Sequence, residues 1–297
     1  MSNVKIITDS CADLTGEQLA KYDVDYVKMS TILDGEERPA LLTWTADEVH
    51  DFYEKMRAGV QFKTAQVPVE EFRTVFGKYL EEGRDIVYIA CSVKQTGSIN
   101  TGFVTAKQLL ESYPDRKIIC IDSLNASIGE GMLAMKAAEK AREGASAEEI
   151  EEYILSIRKT VNEYATVHSL DALKRAGRVK ASAAFLGNLM GVKPILVADA
   201  EGYQAAYKKV KGRQKSLDEI VTLLKSSITD AENQTVYLLH ADCDADEVRA
   251  LAETVRSEIP CRDVKIGFIG PIIGASVGPD TIGVWAFGES VTFSAGV

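Results

Sequence analysis

The chain has 297 residues, 46% hydrophobic and 26% charged, a composition typical of a globular protein large enough for two domains. Its net charge of -10 disfavours nucleic acid as a main partner, because a phosphate backbone would be repelled. No stretch approaches the roughly 18 unbroken apolar residues of a membrane span, and the first residues lack the pattern of a signal peptide, so we expect a cytoplasmic protein without a membrane span.

Short β-rich runs alternate with segments of helical period in the first half of the chain. The runs are residues 4–10, 85–91 and 117–123, and the helical segments include residues 69–83 and 100–113. Such alternation indicates βαβ units and a parallel sheet covered by helices. We therefore predict an N-terminal α/β domain over residues 1–164.

The pattern changes after a helix predicted over residues 146–164. A hairpin-like stretch, two helices near 214–228 and 244–258, and a strand between these helices follow. Residues 264–288 are expected to form a strand, a glycine-rich turn and a second strand. This order favours a mixed α+β domain over residues 165–297, with the boundary near residue 164.

Polar loops follow the predicted first-half strands. They are Thr8-Asp9-Ser10, residues 92–98 and residues 125–131, and a fourth polar segment, residues 64–68, precedes a helix. Loops after parallel strands meet at the carboxyl edge of a sheet. Hydroxyls and glycines ahead of helices suit a carboxylate or phosphate, although a single such residue is also a plain helix cap. Together the loops favour an anion site.

Residues 274–278 fit the G-x-S-x-G pattern of a hydrolase nucleophile elbow around Ser276. In that fold an acid and then a histidine follow the serine, whereas His50, His168 and His240 all precede it. No apolar helix is expected after Ser276 to complete the elbow. The glycines are interpreted as positions of close backbone approach or positive φ.

No cofactor or metal site is predicted. The five cysteines have no C-x-x-C spacing, and the three histidines are scattered. The acidic residues at 242, 244, 246 and 247 lack the glycine and spacing of a calcium loop and are expected to start an exposed helix.

Several motifs in fixed order resemble the DegV family of bacterial proteins, whose characterised members bind fatty acids. The resemblance covers almost the whole chain. The motifs are Ile7-Thr8-Asp9-Ser10 with Asp13-Leu14, residues 64–68, residues 92–98 in place of S-S-x-L-S-G-T, Asp122-Ser123 with Gly129 and Gly131, residues 170–178 in place of L-x-x-L-x-K-G-G-R, and Gly270-Pro271 with Gly278-Pro279.

The resemblance implies a two-domain DegV-like fold with a long-chain fatty acid bound between the domains and no catalysis by this chain. The family's carboxylate-binding hydroxyls fall on Thr64 and Thr96, and the Gly97 and Ser98 N–H groups and Ser276 are expected to assist them. The head-group region is expected to include Asp9, Ser10, Gln66, Arg178 and Gly274.

The acyl tail needs an apolar tunnel. The candidates for its lining, which are equally ordinary core residues, are Ala183, Ala184, Phe185, Leu186, Leu189, Met190, Ile195, Ile266, Phe268 and Ile269.

Some members of the family are partners of a fatty acid kinase and present the acid to a separate catalytic subunit. Their G-A-H-T-G-P-G turn is replaced here by residues 274–280, with Ser276 for the histidine and Asp280 for the last glycine. Serine cannot supply an imidazolium, and Asp280 is expected to add repulsion. Ala176 also replaces the first glycine of G-G-R. Fatty-acid binding therefore carries over better than a kinase partner.

Two alternatives stay open. The chain can be a DegV-like docking module or a binder of another amphipathic anion, since Ser276 and Asp280 depart from the family pattern. It can also be an enzyme that uses Ser276, Asp9 or Ser10 in hydrolysis or phosphoryl transfer.

Overall fold

The computed structural model describes residues 3–168, 171–180 and 191–295. Its strands are β1 (Val4–Asp9), β2 (Val24–Val27), β3 (Ser30–Leu33), β4 (Glu36–Pro39), β5 (Lys63–Ala65), β6 (Asp85–Ala90), β7 (Ile118–Asp122), β8 (Val161–Thr166), β9 (Val179–Lys180), β10 (Val192–Ala198), β11 (Gln204–Lys211), β12 (Thr235–His240), β13 (Asp263–Phe268) and β14 (Ile282–Phe287). Its α-helices are α1 (Gly16–Tyr22), α2 (Ala46–Arg57), α3 (Val69–Glu81), α4 (Ser98–Leu110), α5 (Ser127–Arg142), α6 (Ala147–Ile157), α7 (Asp171–Ala176), α8 (Arg213–Ser227), α9 (Ala245–Glu258) and α10 (Pro271–Val277).

The chain divides into two compact units, each of which is formed by two separate segments of the sequence. The first unit contains Met1–Thr43 and Thr64–Arg158, and the second contains Trp44–Lys63 and Lys159–Val297. This division differs from the single boundary expected near residue 164, because the segment that carries α2 belongs with the C-terminal residues.

The first unit is built on a parallel sheet of order β2-β1-β6-β7, as predicted from the alternation of strands and helices. Helices α3, α4, α5 and α6 pack against it, and β1 is buried along its whole length. Gly131 permits a close approach of α5 to the loop after β1, since a Cβ there would lie 2.6 Å from the Ala12 carbonyl oxygen. A small sheet of order β4-β3-β5 is separate from the parallel sheet.

The second unit is built on a mixed sheet of order β13-β12-β14-β8-β10-β11-β9, which confirms the mixed α+β prediction. The helix predicted over residues 146–164 is wrong in its second half, because α6 ends at Ile157 and Val161–Thr166 form β8. β8 lies between β14 and β10, and its pairing with both outweighs the helical pattern of the local sequence.

The glycine-rich turn predicted near residues 270–278 is also wrong, since Pro271–Val277 form the short helix α10. Gly270 precedes the helix, and Pro271 occupies the first helical position, where its missing N–H leaves no hydrogen bond unmade. Helices α8 and α9 agree with their predicted bounds to within one residue.

Within the described ranges, no helix combines the length and apolar character that crossing a membrane requires.

Glu163 on β8 is a buried carboxyl group whose pKa is raised by burial to about 7. Gln204 Nε2 donates to Glu163 Oε1 at 2.6 Å. Because the folded-state pKa lies above the unfolded-state value, the folded protein keeps a proton that the unfolded chain releases as the pH rises. The contribution of Glu163 to the free energy of unfolding is therefore present at low pH and is lost as the pH rises through about 7.

We expect the free energy of unfolding to fall by about 2 to 3 kcal/mol between pH 5 and pH 8 through this group, and the fall to be absent in Glu163→Gln. Urea unfolding followed by tryptophan fluorescence is the measurement, because Trp44 and Trp285 both lie in the second unit. The exposed Glu232→Gln is the matched control. An equal pH dependence in wild type and Glu163→Gln would contradict the assignment.

Candidate ligand-binding site

The loop between β6 and α4 brings hydrogen-bond donors to the carboxyl edge of the parallel sheet. The N–H groups of Gln95 and Thr96 donate to the Ser92 carbonyl, so the loop is folded on itself before the helix starts. Gly97 is the residue before α4, and its own N–H makes no hydrogen bond within the described part of the chain. A free N–H at the start of a 13-residue helix is a favourable place for an anion.

The hydrogen bonds around Thr96 and Ser98 leave one of their two hydroxyl protons available to a ligand. Ser98 N–H donates to Thr96 Oγ1 at 3.3 Å, and the two hydroxyl oxygens lie 3.0 Å apart. Ser98 Oγ accepts the Val67 N–H at 3.2 Å. When the Ser98 hydroxyl donates to Thr96, both lone pairs of Thr96 Oγ1 are occupied and its own proton has no acceptor among the described residues. Thr96 can then donate to an anion. When Thr96 instead donates to Ser98, the Ser98 proton is the one left without an acceptor.

The segment after β5 lies against this loop. Gln66 Nε2 donates to Thr101 Oγ1 at 3.1 Å, and a Cβ at Gly97 would lie 2.4 Å from Gln66 Oε1. The exposed Gln66 side chain therefore lies close against Gly97. Thr64 is half-buried on β5, two residues before Gln66, and its hydroxyl has no hydrogen-bond partner among the described residues. The structure thus brings Gln66 and Val67 to residues 96–98.

Asp9 and Ser10 are buried, and their side-chain oxygens are already hydrogen-bonded. Asp9 accepts from Cys11 N–H at 2.9 Å, from Cys91 N–H at 3.1 Å and from the Tyr88 hydroxyl at 2.9 Å. Burial raises the pKa of Asp9, and these three donors act in the opposite direction. Ser10 Oγ accepts the Met29 N–H at 2.8 Å. Asp9 and Ser10 therefore connect loops of the first unit through hydrogen bonds to backbone N–H groups.

No role is predicted for Glu130 from the sequence, although the residue is fully buried near the start of α5. It accepts a hydrogen bond from Thr8 Oγ1 at 2.6 Å. A charged residue separated by a single glycine from the apolar run Met132–Met135 was the signal available in the sequence.

Ser276 lies in the last turn of α10 and does not occupy a strand-to-helix elbow. Among the described residues its hydroxyl makes no hydrogen bond to a histidine. His240, in the same unit, accepts the Cys243 N–H through Nδ1 at 3.2 Å, and burial lowers its pKa to about 4. Neither feature of a serine nucleophile, the exposed elbow or the adjacent base, accompanies Ser276.

Gly274 is required by its contact with the Tyr53 ring. A Cβ at Gly274 would lie 2.3 Å from Tyr53 Oη, and Tyr53 is fully buried and donates to the Ile269 carbonyl at 2.7 Å. The absence of a side chain at Gly274 therefore lets α2 and α10 pack within the second unit.

Asp280 does not carry an unpaired charge, contrary to the repulsion expected from it. Arg57 donates to Asp280 Oδ1 at 2.7 Å and to Asp242 Oδ2 at 2.7 Å, so one guanidinium neutralises part of both carboxylates. Asp280 has a φ of 61°, in the left-handed region that aspartate tolerates better than most residues.

The remaining predicted residues are dispersed in the second unit. Arg178 is exposed and donates to the Ala176 carbonyl at 2.6 Å. Ile195 belongs to the core with Leu217 and Val236, whereas Ile266 is 45% exposed. Phe268 is half-buried and Ile269 is buried. Candidate tail residues Ala183, Ala184, Phe185, Leu186, Leu189 and Met190 lie outside the described residues.

A parallel α/β unit with hydroxyl and amide donors at its strand ends, joined to a mixed-sheet unit, defines a two-unit α/β protein. A sequence model of the DegV family matches residues 3–289, and the chain belongs to the DegV family. A DegV domain-containing protein of Clostridium perfringens is 34% identical over 294 residues, which cover 98% of this chain and 99% of the relative.

Solved structures of the family share the fold. A fatty-acid-binding DegV family protein from Thermus thermophilus is 27% identical, with a TM-score of 0.86 and coverage of 97% of this chain and 100% of that one. A stearic-acid-binding protein from Eubacterium ventriosum is 27% identical, with a TM-score of 0.83 and coverage of 96% and 98%. A DegV lipid-binding protein from Thermotoga maritima is 28% identical, with a TM-score of 0.84 and coverage of 98% and 100%.

We expect Gly274→Ala to destabilise the second unit by about 1 to 3 kcal/mol, because the added methyl group overlaps Tyr53. Tyr53→Phe removes the hydroxyl oxygen that lies nearest to the added methyl group. The double variant should therefore lose less free energy of unfolding than the two single variants lose when their losses are added. Urea unfolding of the four proteins, followed by tryptophan fluorescence, gives the coupling free energy. Strict additivity would show that Gly274 is not needed for this contact.

Proposed function

We propose that this protein binds a long-chain fatty acid without transforming it, and that residues of the first unit hold the carboxylate. The observation that carries the proposal is the hydrogen-bonded pair of Thr96 and Ser98 hydroxyls, which leaves one of its two protons without an acceptor among the described residues. Fatty acids or lipids are the ligands named for related structures that are 27% and 28% identical to this chain, which supports the same class of ligand here.

In the proposed site Thr96 Oγ1 and Gly97 N–H donate to the carboxylate, and the Thr64 hydroxyl is a third donor. Ser98 acts together with Thr96, because the two hydroxyls share one hydrogen bond and leave one proton for the carboxylate. Gln66 shapes the site by lying against Gly97. Hydrogen bonds to an ionised carboxylate are short and comparatively strong, so these neutral donors can hold the head group without a buried cation.

The acyl tail supplies most of the binding free energy in this proposal, since burial of each CH₂ contributes roughly 0.8 kcal/mol. Affinity should therefore rise with chain length until the apolar site is filled. The carboxylate donors then determine the orientation of the acid.

We expect Thr96→Val to weaken fatty-acid binding about 10- to 100-fold, since a hydrogen bond to a charged group contributes about 1.5 to 3 kcal/mol. Isothermal titration of delipidated protein with palmitate measures the change. The matched control is Thr74→Val, an exposed threonine on α3 of the same unit. Full affinity in Thr96→Val would refute the assigned head-group site, and an absence of binding in wild type would refute the function.

We further propose a use for the bound acid, which is that the protein presents it to the catalytic subunit of a fatty acid kinase. The chain itself then remains a carrier. Ser276 is neutral where the family pattern has a histidine, and it cannot offset the charge of an acyl-phosphate.

If the kinase role applies, acyl-phosphate formation with a kinase catalytic subunit and ATP should be slower with wild type than with Ser276→His. Phosphate incorporation into the acid is the measurement, with Ser276→Asn as the uncharged control. Equal rates for the three proteins would exclude a role for charge at this position, and no product with any of them would refute the carrier role.

A further inference from the structure

A cluster of two thiols and a carboxyl group lies inside the first unit. Cys11 follows β1, Cys91 follows β6 and Glu130 stands near the start of α5. Their exposed fractions are 2%, 1% and 0%. One potential ligand atom from each residue lies within 4.8 Å of the others.

Glu130 has an unmet hydrogen-bonding requirement in this cluster. Thr8 Oγ1 and, at 3.4 Å, the Asp9 N–H donate to Oε1. The other oxygen, Oε2, is fully buried and has no hydrogen-bond partner in the described part of the chain. A buried oxygen without a partner is unfavourable, because it has lost its hydrogen bonds to water and accepts none from the protein. A bound cation would meet this requirement.

The Cys11 and Cys91 sulfur atoms lie within 4.8 Å of each other, which is close to the spacing that a metal ion needs. Zn²⁺ binds thiolate sulfur at about 2.3 Å in a tetrahedral arrangement, so neighbouring sulfur ligands lie roughly 3.5 to 4 Å apart. Met29 adds a third sulfur, since its buried Sδ lies 3.4 Å from Cys11 Sγ. Thiolate and thioether ligands favour soft and borderline ions such as Cu⁺ and Zn²⁺ over Mg²⁺ and Ca²⁺.

The backbone around the cysteines is held in place by Asp9. One carboxylate oxygen accepts the Cys11 N–H at 2.9 Å, and the other accepts the Cys91 N–H at 3.1 Å. Thr8 similarly orients Glu130. Groups that fix the ligands from behind in this way are a regular feature of protein metal sites.

We propose that Cys11, Cys91 and Glu130 form a buried binding site for a thiophilic d¹⁰ metal ion, Zn²⁺ or Cu⁺, with the Met29 thioether as a further ligand. Binding releases the thiol protons, and two thiolates with one carboxylate leave a Zn²⁺ site with a single negative charge. Because the site is closed to solvent, the ion is expected to enter while the chain folds.

The test is to refold the full chain from denaturant under reducing, anaerobic conditions with one equivalent of Zn²⁺, and separately with Cu⁺. Metal content after gel filtration and the mass of the native protein measure stoichiometry. Refolding with Cd²⁺ gives a sulfur-to-metal charge-transfer band that reports thiolate ligation directly. We expect one ion per chain, and binding at least 100-fold weaker in Cys91→Ser and about 10-fold weaker in Glu130→Gln.

Cys261→Ser, a thiol of the second unit, is the control and should bind as wild type. Circular dichroism shows whether each variant folds. If Cys91→Ser does not fold, the cadmium band of wild type and its loss in Cys11→Ala decide the question. Less than a tenth of an equivalent of both metals in wild type, or full retention in folded Cys91→Ser, would overturn the proposal. A wild-type protein that holds a Cys11–Cys91 disulfide and takes up no metal after reduction would overturn it too.

Discussion

The buried Asp9 carboxylate is the constraint on which the first unit depends. It accepts backbone N–H groups just after β1 and just after β6, so the ends of two neighbouring parallel strands are fixed to one side chain. The loop that leads from Cys91 to Gly97 starts from this fixed point, and Thr96 and the start of α4 are placed by it. A fully buried side chain thus determines where this loop begins.

The second unit depends on a comparable contact made by α2. Arg57 binds carboxylates on two separate loops, while Tyr53 fills the space that Gly274 leaves. Asp280 and Gly274, which stand in the turn that departs from the family pattern, therefore have structural partners. The departure at Asp280 is accommodated by a charge pair inside this unit.

Most of the fold could be predicted from the sequence, because strand alternation and helical periodicity reflect local burial. Helices α8 and α9 were predicted to within one residue, and Asp244 caps α9 as the acidic cluster suggested. The assignment of residues 44–63 to the second unit could not be predicted, since it follows from pairs such as Arg57 with Asp280 that are 223 residues apart. The roles of Asp9 and Glu130 could not be predicted either, because their hydrogen-bond partners are also distant in sequence. The site residues remain predictions.

The discontinuous second unit has a consequence for synthesis. Trp44–Lys63 leave the ribosome early, yet the partners of Arg57 at Asp242 and Asp280 are 185 and 223 residues further along. At typical elongation rates of about 5 to 20 residues per second, α2 waits roughly 10 to 45 s for them. During that time Tyr53, which is buried in the finished protein, is without its partners Ile269 and Gly274. Nascent chains stalled before residue 280 should accordingly recruit chaperones through this short segment.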